Sequence, residues 1–297
     1  MKALIVCHAG GGIGLGHLSR CLVVAKALRA RWHTQVRLLI QGDPLLRDDL
    51  LVLEHRFVPL DLDLAAQLAG ETPVDLLVLD VHPQQVPAGL GRVIGAWRAA
   101  GAKVIAIDGL LNLRPELDLI FIPSFQFKPP ADLQDGAPIV WGWDCFLLDV
   151  PSASAPWQPG RRVLALTGGS DATQLGASWP GLLYRALPHD AELHWVTGPY
   201  ALKPNWPAAP RIPMFEHVAP AGLAALMRQT HCAVTVFGVS FFELLAWGVP
   251  TVVFSPYGDK DAAELGAIAA SGVAWVAADE HDATERLVEL LEQEELA

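Results

Sequence analysis

A histidine at the end of a glycine-rich segment is the first candidate for a chemical role in this chain. An apolar, β-forming run over residues 2–7 (KALIVC) leads into glycines 10, 11, 12, 14 and 16, and His17 follows directly. This order predicts a buried strand that enters a tight glycine loop. His17 would then lie where a ligand of that loop binds.

A helix is predicted to begin at Leu18, because apolar residues recur at helical spacing from that point. They are Leu18, Cys21, Leu22, Ala25 and Leu28. A strand, a glycine loop and a helix N-terminus favour an α/β ligand site, since glycines allow close approach and unpaired helix N–H groups point at the ligand. Two simpler interpretations stay open: the glycines serve only a tight connection, and His17 caps the helix or lies at the surface.

The glycine spacing does not match the dinucleotide fingerprint, which needs glycine at the first, third and sixth positions. Counting from Gly10 or from Gly12 puts Leu15 or His17 at the sixth position. A nicotinamide or flavin dinucleotide is therefore disfavoured, and no cofactor is predicted. No histidine pair has metal-ligand spacing on one helix, so no metal is predicted either. Ser170 and Ser240 lack the flanking glycines of a nucleophile elbow, and no Walker loop is present.

The composition indicates a globular chain with two α/β domains. Of its 297 residues, 52% are hydrophobic and 18% charged, which suits parallel sheets buried on both faces. The formal net charge of −11 argues against nucleic acid as a partner. The absence of a long apolar run and of a signal pattern predicts a cytoplasmic protein without membrane insertion. The four cysteines lack paired spacing and are expected to be reduced and buried.

Strands and helices are predicted to alternate in each half of the chain, which implies doubly wound parallel sheets. In the first half, strands are expected over residues 2–7, 35–41, 56–60, 74–80, 103–108 and 117–123, with helices from 18 and over 44–53, 64–68 and 87–100. In the second half, strands are expected over 162–167, 192–196, 231–236 and 251–254, with helices ending at 187 and 229, over 241–247 and 261–271, and a final strand and helix. The stretch that ends at Pro220 is proline-rich and ill-defined.

Residues 124–160 are predicted to connect the domains, because prolines interrupt every periodic pattern there. Trp141 and Trp143 lie within this segment and are expected to pack under it. The predicted domains are an N-terminal Rossmann-like domain over residues 1–140 and a C-terminal one over residues 141–297. A cleft between the carboxyl ends of their sheets is expected to hold the ligand.

The second half carries its own candidate binding residues at the ends of predicted strands. A turn at Gly238 would expose N–H groups to a diphosphate, and Glu243 would accept hydrogen bonds from ribose hydroxyls. Ser240 and Glu243 also have the spacing of a capping box, which leaves a purely structural role open. Lys260 and Asp261 begin another predicted helix, where they would form a solvated turn or hold a phosphate and a sugar hydroxyl.

These motifs together resemble nucleotide-sugar enzymes of the GT-B fold, above all the UDP-sugar hydrolases of the pseudaminic-acid pathway. The resemblance rests on residues 14–21 (GLGHLSRC), 143–148 (WDCFLL), 168–171 (GGSD) and 238–261, and it spans nearly the whole chain. A more distant resemblance, at Lys260-Asp261, is to the peptidoglycan N-acetylglucosaminyltransferases. The chain differs from the hydrolases at His82, where they have Tyr, and over residues 259–261 (DKD), where they have Asp-Asn-Gln.

The resemblance implies a fold and an activity. The fold is GT-B-like, with two doubly wound Rossmann-like domains facing an interdomain cleft. The resemblance implies that the first domain is on the sugar or acceptor side and that the second binds the nucleotide sugar. The activity is hydrolysis of a UDP-sugar at its anomeric carbon, in the biosynthesis of a surface-polysaccharide or nonulosonic-acid sugar, with His17 as general base on the attacking water. Substrate-binding residues are expected at Gly14, Gly16, Arg20, His82, Gly169, Ser170, Gly238, Val239, Ser240, Glu243, Lys260 and Asp261.

Two other functions remain open from the residues. A GT-B glycosyltransferase would use the same UDP-sugar donor site, and His17 would deprotonate an acceptor hydroxyl instead of water. A catalytically inert nucleotide-sugar binder or assembly partner would bind UDP without turning over any donor.

Overall fold

The computed structural model describes residues 1–130, 136–150, 157–209, 211–220 and 222–292. The chain forms two compact units, Met1–Leu147 and Leu148–Ala297, whereas the sequence analysis divided the domains between residues 140 and 141. Residues 131–135 and 151–156 of the predicted connecting segment lie outside the described residues. So does the end of the final predicted helix, over residues 293–297.

The first unit alternates strands and helices along the chain. Its elements are β1 (Lys2–Ala9), α1 (Gly16–Trp32), β2 (Gln35–Gly42), α2 (Asp48–Leu51), β3 (Glu54–Val58), α3 (Leu64–Ala69), β4 (Leu76–Asp80), α4 (Leu90–Ala99), β5 (Lys103–Ile107), β6 (Leu119–Ile122) and β7 (Ile139–Trp141). Over the described residues the strands form one sheet in the order β3-β2-β1-β4-β5-β6-β7, and their pairings are parallel. The order reverses direction beside β1, as in doubly wound sheets.

The core of this unit lies on both faces of its sheet, which is why β1 is apolar at nearly every position. Leu4 and Val6 pack into one cluster, and the alternate residues Ala3, Ile5 and Cys7 pack into another. A strand has a side-chain period of two, so each face receives every second residue. Helix α1 covers the second face through the five apolar positions predicted for it, Leu18, Cys21, Leu22, Ala25 and Leu28.

The second unit repeats the architecture with its own core. Its elements are β8 (Arg162–Leu166), α5 (Trp179–Ala186), β9 (Glu192–Thr197), β10 (Met214–Val218), α6 (Ala224–Met227), β11 (Cys232–Val236), α7 (Val239–Ala246), β12 (Thr251–Phe254), α8 (Ala262–Ser271), β13 (Trp275–Val276) and α9 (Glu280–Glu292). Among the described residues the parallel sheet has the order β10-β9-β8-β11-β12-β13. Strand β8 contributes side chains to both faces of this sheet, with Val163 in one apolar cluster and Leu164 in the other. Two parallel α/β sheets, as predicted, thus organise the chain.

The sequence analysis missed two edge strands. Strand β7 lies inside the segment predicted to be irregular, and β10 lies inside the ill-defined proline-rich stretch. Each has one neighbouring strand in its sheet, so neither carries the two-sided apolar pattern that marked the central strands. Trp141 and Trp143 contact Phe127 and Phe125 of the same segment. They are nevertheless 44% and 49% exposed, so the prediction that they are packed under the segment and not exposed is wrong in its second part.

The helix predicted over residues 44–53 is only the single turn of α2. All four cysteines are buried and unpaired, as expected. Within the described parts of the chain, no helix combines the length and the apolar character needed to cross a bilayer.

Candidate active site

A cluster of ionisable side chains lies at the carboxyl ends of neighbouring strands in the first unit. Strand β4 pairs with both β1 and β5, so residues that end these strands meet at one edge of the sheet. Asp80 is the last residue of β4, and Asp108 directly follows β5. The N-terminal end of α1 contributes His17 and Arg20 to the same place.

The imidazole of His17 is held by a buried carboxylate. Its Nδ1 lies 2.6 Å from Asp80 Oδ1, and the Asp80 side chain is fully buried while that of His17 is 13% exposed. An ionised carboxylate only accepts hydrogen bonds, so Nδ1 carries the proton and donates it. The other ring nitrogen, Nε2, then has the lone pair and can accept a proton. Because Leu15 is the N-cap of α1, the interpretation of His17 as a capping residue is wrong.

Arg20 fixes the carboxylate from the other side. Its Nε and Nη2 donate to the two oxygens of Asp80, each at 2.9 Å, in the bidentate geometry typical of strong Arg–carboxylate pairs. Its Nη1 donates to Asp108 Oδ2 at 2.7 Å. Nη2 also lies 3.1 Å from His17 Nδ1, but two protonated nitrogens do not bond each other. Both instead donate to the same oxygen of Asp80.

The charges of this cluster set the protonation state of Asp80. Burial acts to raise the pKa of Asp80, but the guanidinium of Arg20 and the contacts with His17 outweigh it and hold that pKa below its usual value. Burial acts to lower the pKa of Arg20. The carboxylates of Asp80 and Asp108 outweigh this effect and raise that pKa above its usual value. Asp80 therefore stays ionised at neutral pH beside a permanently charged Arg20.

Cys21, the residue after Arg20, also faces the carboxylate of Asp80. Cys21 Sγ lies 4.0 Å from Asp80 Oδ2 and is buried. Burial raises the pKa of the Cys21 thiol well above its usual value, so the thiol is protonated and acts as a weak donor. Both members of Arg20-Cys21 thus contact the carboxylate that holds His17.

Two further histidines surround His17. The rings of His8 and His82 lie 6.3 and 6.0 Å from its ring, both nearly perpendicular to it. His8 is the penultimate residue of β1 and is fully buried. His82 follows β4 by two residues and caps a 3₁₀ turn over Pro83–Gln85.

The glycine loop before α1 closes on itself. Gly14 N–H donates to Gly10 O at 2.7 Å, and Gly10 N–H donates back to Gly14 O at 3.2 Å. Asp43, which follows β2, accepts the Gly11 N–H at 3.0 Å. Gly14 thus serves the loop itself, while Gly16 is the first residue of α1, where helical N–H groups have no partner within the helix.

The remaining predicted site residues lie together in the second unit. Gly169 and Ser170 follow β8, Gly238 to Glu243 follow β11, and Lys260 and Asp261 follow β12. These three strands are neighbours in the sheet, so the residues that follow them share its carboxyl edge. Ligands of doubly wound sheets bind at this edge.

Helix α7 begins without a capping side chain. Its N-cap is Gly238, Val239 is its first residue, and no side-chain hydrogen bond caps it. The alternative of a Ser240–Glu243 capping box is therefore wrong, because Ser240 lies one position inside the helix. Gly238 and Val239 bring backbone N–H groups to the carboxyl edge of β11.

The segment after β12 is held by its own contacts. Asp261 accepts a 2.5 Å hydrogen bond from the Ser255 hydroxyl, and Lys260 Nζ lies 5.2 Å from the centre of the Tyr257 ring. The ring is 43% exposed. Burial, with Asp261 and Asp171 nearby, raises the pKa of the Tyr257 hydroxyl, which stays protonated at neutral pH.

The loop after β8 is anchored by Asp171 and crowded by Gly198. Buried Asp171 accepts the N–H groups of Leu175 and Gly176 at 2.9 and 2.8 Å. A Cβ added to Gly198, which follows β9, would lie 2.3 Å from Gly169 O and 2.5 Å from Gly168 O. Only glycine fits there without displacing the loop.

We expect Gly198→Ala to lower the free energy of unfolding by about 1–3 kcal/mol, the usual cost of overpacking. Gly266→Ala is the matched control, because Gly266 lies within α8 and a Cβ there meets nothing within 4 Å. The control should gain about 0.5–1 kcal/mol from its better helix propensity. Urea unfolding followed by circular dichroism measures both, and equal values for the two variants would contradict the crowding at Gly198.

The fold is shared with solved structures that include a glycosyltransferase and complexes with UDP or a UDP-sugar. No protein-family model matches the sequence, and no curated protein matches it. Among solved structures, the spinosyn forosaminyltransferase SpnP matches with a TM-score of 0.64 and 15% identity over 100% of this chain and 91% of that one. UGT89C1 of Arabidopsis thaliana, complexed with UDP-L-rhamnose, matches with a TM-score of 0.63 and 13% identity over 98% and 88%. The S. aureus MnaA–UDP complex matches with a TM-score of 0.60 and 11% identity over 100% and 90%.

The chain has the GT-B fold. At identities of 11–15%, these three comparisons establish a shared fold and do not identify a substrate. The fold prediction is therefore confirmed, and the match to the pseudaminic-acid hydrolases in particular stays a prediction.

Several residues that contact the candidate site or its glycine loop were not selected from the sequence. Asp80 and Asp108 pair with His17 and Arg20, and His8, Gln41 and Asp43 lie beside them. One signal for the two carboxylates was present, because each ended a predicted strand. Among the described residues, no group of three or more His, Cys, Asp or Glu side chains has the arrangement of a metal site.

Proposed function

We propose that this GT-B chain transfers a sugar from a nucleoside diphosphate, with UDP as the expected nucleotide, to an acceptor hydroxyl. The 2.6 Å contact of His17 Nδ1 with buried Asp80 is the observation that carries the base-catalysed attack in this proposal. It leaves Nε2 as the proton acceptor, at the carboxyl edge of the first sheet. The transferase named among the solved structures of this fold supports the same reaction.

In the proposed reaction one bond forms at the anomeric carbon as another breaks. The acceptor oxygen bonds to the anomeric carbon, and its proton moves to His17 Nε2. The bond from the anomeric carbon to the diphosphate oxygen breaks, and the electron pair leaves with the nucleotide. A positioned general base typically accelerates such a step by about 10²- to 10⁴-fold.

Asp80 and Arg20 have separate tasks in this step. The Asp80 carboxylate fixes the tautomer of His17 and stabilises the imidazolium that forms. Arg20 keeps Asp80 ionised, so the proton stays on the imidazole instead of moving to the carboxylate. Although Arg20 was predicted to bind substrate, its Nε and Nη2 donate to Asp80 and its Nη1 donates to Asp108. We therefore assign it to the support of the base.

The second unit is proposed to bind the nucleotide diphosphate. The loops after β8 and β11 bring the backbone at Gly169, Gly238 and Val239 to one sheet edge. Backbone N–H groups at a helix start stabilise the charge of a leaving diphosphate. Lys260 would add a positive charge, and Glu243 would accept hydrogen bonds from the ribose.

Hydrolysis of the same donor is the second candidate function. The observation in its favour is that Arg20-Cys21, part of the motif shared with the UDP-sugar hydrolases, surrounds Asp80. The geometry of the base is the same for water as for an acceptor hydroxyl. The two functions differ in which oxygen attacks.

Incubation of the protein with UDP-, dTDP- and CMP-sugars in ¹⁸O-labelled water separates these functions. Each donor is tested alone and with a panel of sugar and aromatic alcohols, and mass spectrometry follows the nucleotide and the sugar. Transfer predicts nucleotide release that depends on one acceptor and a glycoside of matching mass. Release without acceptor, with ¹⁸O at the anomeric position, would establish hydrolysis instead. Tight binding of a donor with no release under any condition would overturn both and leave an inert binder.

A further inference from the structure

A buried histidine next to the proposed base has no role in the reaction as described. His8 is fully buried, and its ring lies 6.3 Å from that of His17. Burial, with smaller effects from His17 and His82, lowers its pKa to about 4. A polar side chain in such a place has to be held by hydrogen bonds, because an unpaired buried polar group is costly.

The hydrogen bonds of His8 define which of its nitrogens carries the proton. His82 N–H donates to His8 Nδ1 at 2.9 Å, and a backbone N–H only donates. Nδ1 therefore has the lone pair, and Nε2 carries the proton and donates to Gln41 Oε1 at 3.1 Å. This tautomer leaves both nitrogens of the neutral ring satisfied.

Gln41 anchors the other end of this chain of hydrogen bonds. It is the register partner of His8 on the adjacent strand β2. Its amide nitrogen donates to the carbonyl oxygens of Pro59, Leu60 and Leu62, the last at 2.6 Å. The His8 ring is thus hydrogen-bonded to the Gln41 side chain on one side and to the His82 backbone on the other.

His8 binds the backbone of His82, whose own imidazole lies near that of His17. His82 begins the 3₁₀ turn after β4, and its Nδ1 accepts the Gln84 N–H at 3.3 Å. This contact places the ring proton of neutral His82 on Nε2. The His82 ring lies 6.0 Å from the ring of His17, within reach of a group that His17 deprotonates.

We propose that His8 is a positioning residue: it holds the His82 backbone so that the His82 imidazole contacts the substrate beside His17. The inference rests on the proposed function for its effect on turnover. The structural part of the inference is the hydrogen bond from His82 N–H to His8 Nδ1. It does not depend on which sugar donor or acceptor substrate the protein uses.

Two substitutions at His8 separate its two hydrogen bonds. His8→Asn puts an oxygen near the place of Nδ1 and retains the acceptor for His82 N–H, whereas His8→Gln reaches toward Gln41 and removes that acceptor. We expect His8→Gln to lower kcat/KM by about five- to tenfold, the size of one lost hydrogen bond. His8→Asn should restore most of this loss, and equal losses in both variants would overturn the proposal.

We expect the loss of kcat/KM in His8→Gln to depend on the His82 side chain. In a His82→Ala background the imidazole is absent, so His8→Gln is expected to cause no further loss of kcat/KM. A general loosening of the fold by His8→Gln would lower kcat/KM equally in both backgrounds, and that result would contradict a positioning role. Thermal unfolding of all four proteins reports the stability part separately.

Two measurements without substrate distinguish this inference from the proposed function. Hydrogen exchange of the His82 amide, followed by NMR, should speed up by about tenfold in His8→Gln and less in His8→Asn. In the wild-type chain with ¹⁵N-histidine, His8 should show the Nε2–H tautomer at neutral pH. Unchanged exchange or an Nδ1–H tautomer would overturn the inference, even if a donor is turned over. The expected exchange and tautomer with no turned-over donor would reject only the proposed function.

Discussion

His17→Ala is expected to lower kcat by about 10²- to 10⁴-fold, the range for loss of a positioned general base. The affinity for UDP should stay nearly unchanged, since the residues proposed to bind the nucleotide belong to the second unit. The Arg20 contacts with Asp80 do not involve the His17 ring, so the carboxylate remains paired in the variant. Steady-state kinetics with the donor found in the panel gives kcat, and calorimetric titration with UDP gives the affinity.

His281→Ala is the control for His17→Ala. His281 is an exposed histidine of α9 in the second unit, and its removal should change neither kcat nor UDP affinity. Wild-type kcat in His17→Ala would show that His17 is not the base. A loss of UDP affinity in that variant would instead assign His17 to nucleotide binding.

The elements that carry the strongest local patterns could be predicted from the sequence. Strand β1, the glycine loop and α1 follow from an apolar run, a cluster of glycines and helical spacing, and the buried face of α1 agrees residue for residue. Central strands were visible because both of their faces are apolar. Edge strands β7 and β10 lack that pattern and are fixed by one neighbour across the sheet, which no local window contains.

The partners of His17 could not be predicted in the same way. Asp80 is 63 residues away in sequence from His17, and Asp108 is 88 residues away from Arg20. Only the parallel pairing of β1, β4 and β5 brings these residues together. The sequence analysis recognised both aspartates as ends of strands, but the order of strands in the sheet was needed to infer that they meet.

The contacts of Arg20 could not be predicted from its residue type alone. An arginine beside a glycine loop is a plausible phosphate ligand, and it was predicted to bind substrate. In the structure its guanidinium pairs with Asp80 and Asp108, and its side chain is 12% exposed, which supports the proposed role in holding the base. In a buried cluster, charge balance among neighbouring groups determines which contacts form.

Asp80→Asn is expected to have the largest combined effect of any single substitution in the first unit. The amide cannot hold His17 in the required tautomer by charge, so we expect kcat to fall by about 10²-fold or more. It also leaves the buried guanidinium of Arg20 with Asp108 alone. Breaking a buried ion pair costs roughly 3–5 kcal/mol, and the retained contact with Asp108 favours the lower end. Urea unfolding and steady-state kinetics on the same preparation measure the two losses.

Two further variants identify the source of the lost stability. Asp118→Asn removes a carboxylate that pairs with Lys103 and Arg98 at the surface of the same unit, and should cost only about 0.2–1 kcal/mol. Asp80→Asn combined with Arg20→Met removes both charges of the buried pair, and should recover part of the stability but none of the turnover. A stability loss in the combined variant as large as or larger than that of Asp80→Asn alone would show that the buried charge of Arg20 is not the cause.

The pH dependence of the Asp80→Asn effect has a defined sign. The pKa of Asp80 in the folded protein lies below its usual value, and the unfolded value is about 3.9. The stability that this carboxylate contributes is fully present above the unfolded pKa and is lost as the pH falls through the folded pKa. The difference in free energy of unfolding between wild type and Asp80→Asn should therefore be constant near neutral pH and shrink below about pH 4. A difference that stays the same down to the acid-unfolding limit would mean that packing at Asp80, and not its charge, holds the cluster together.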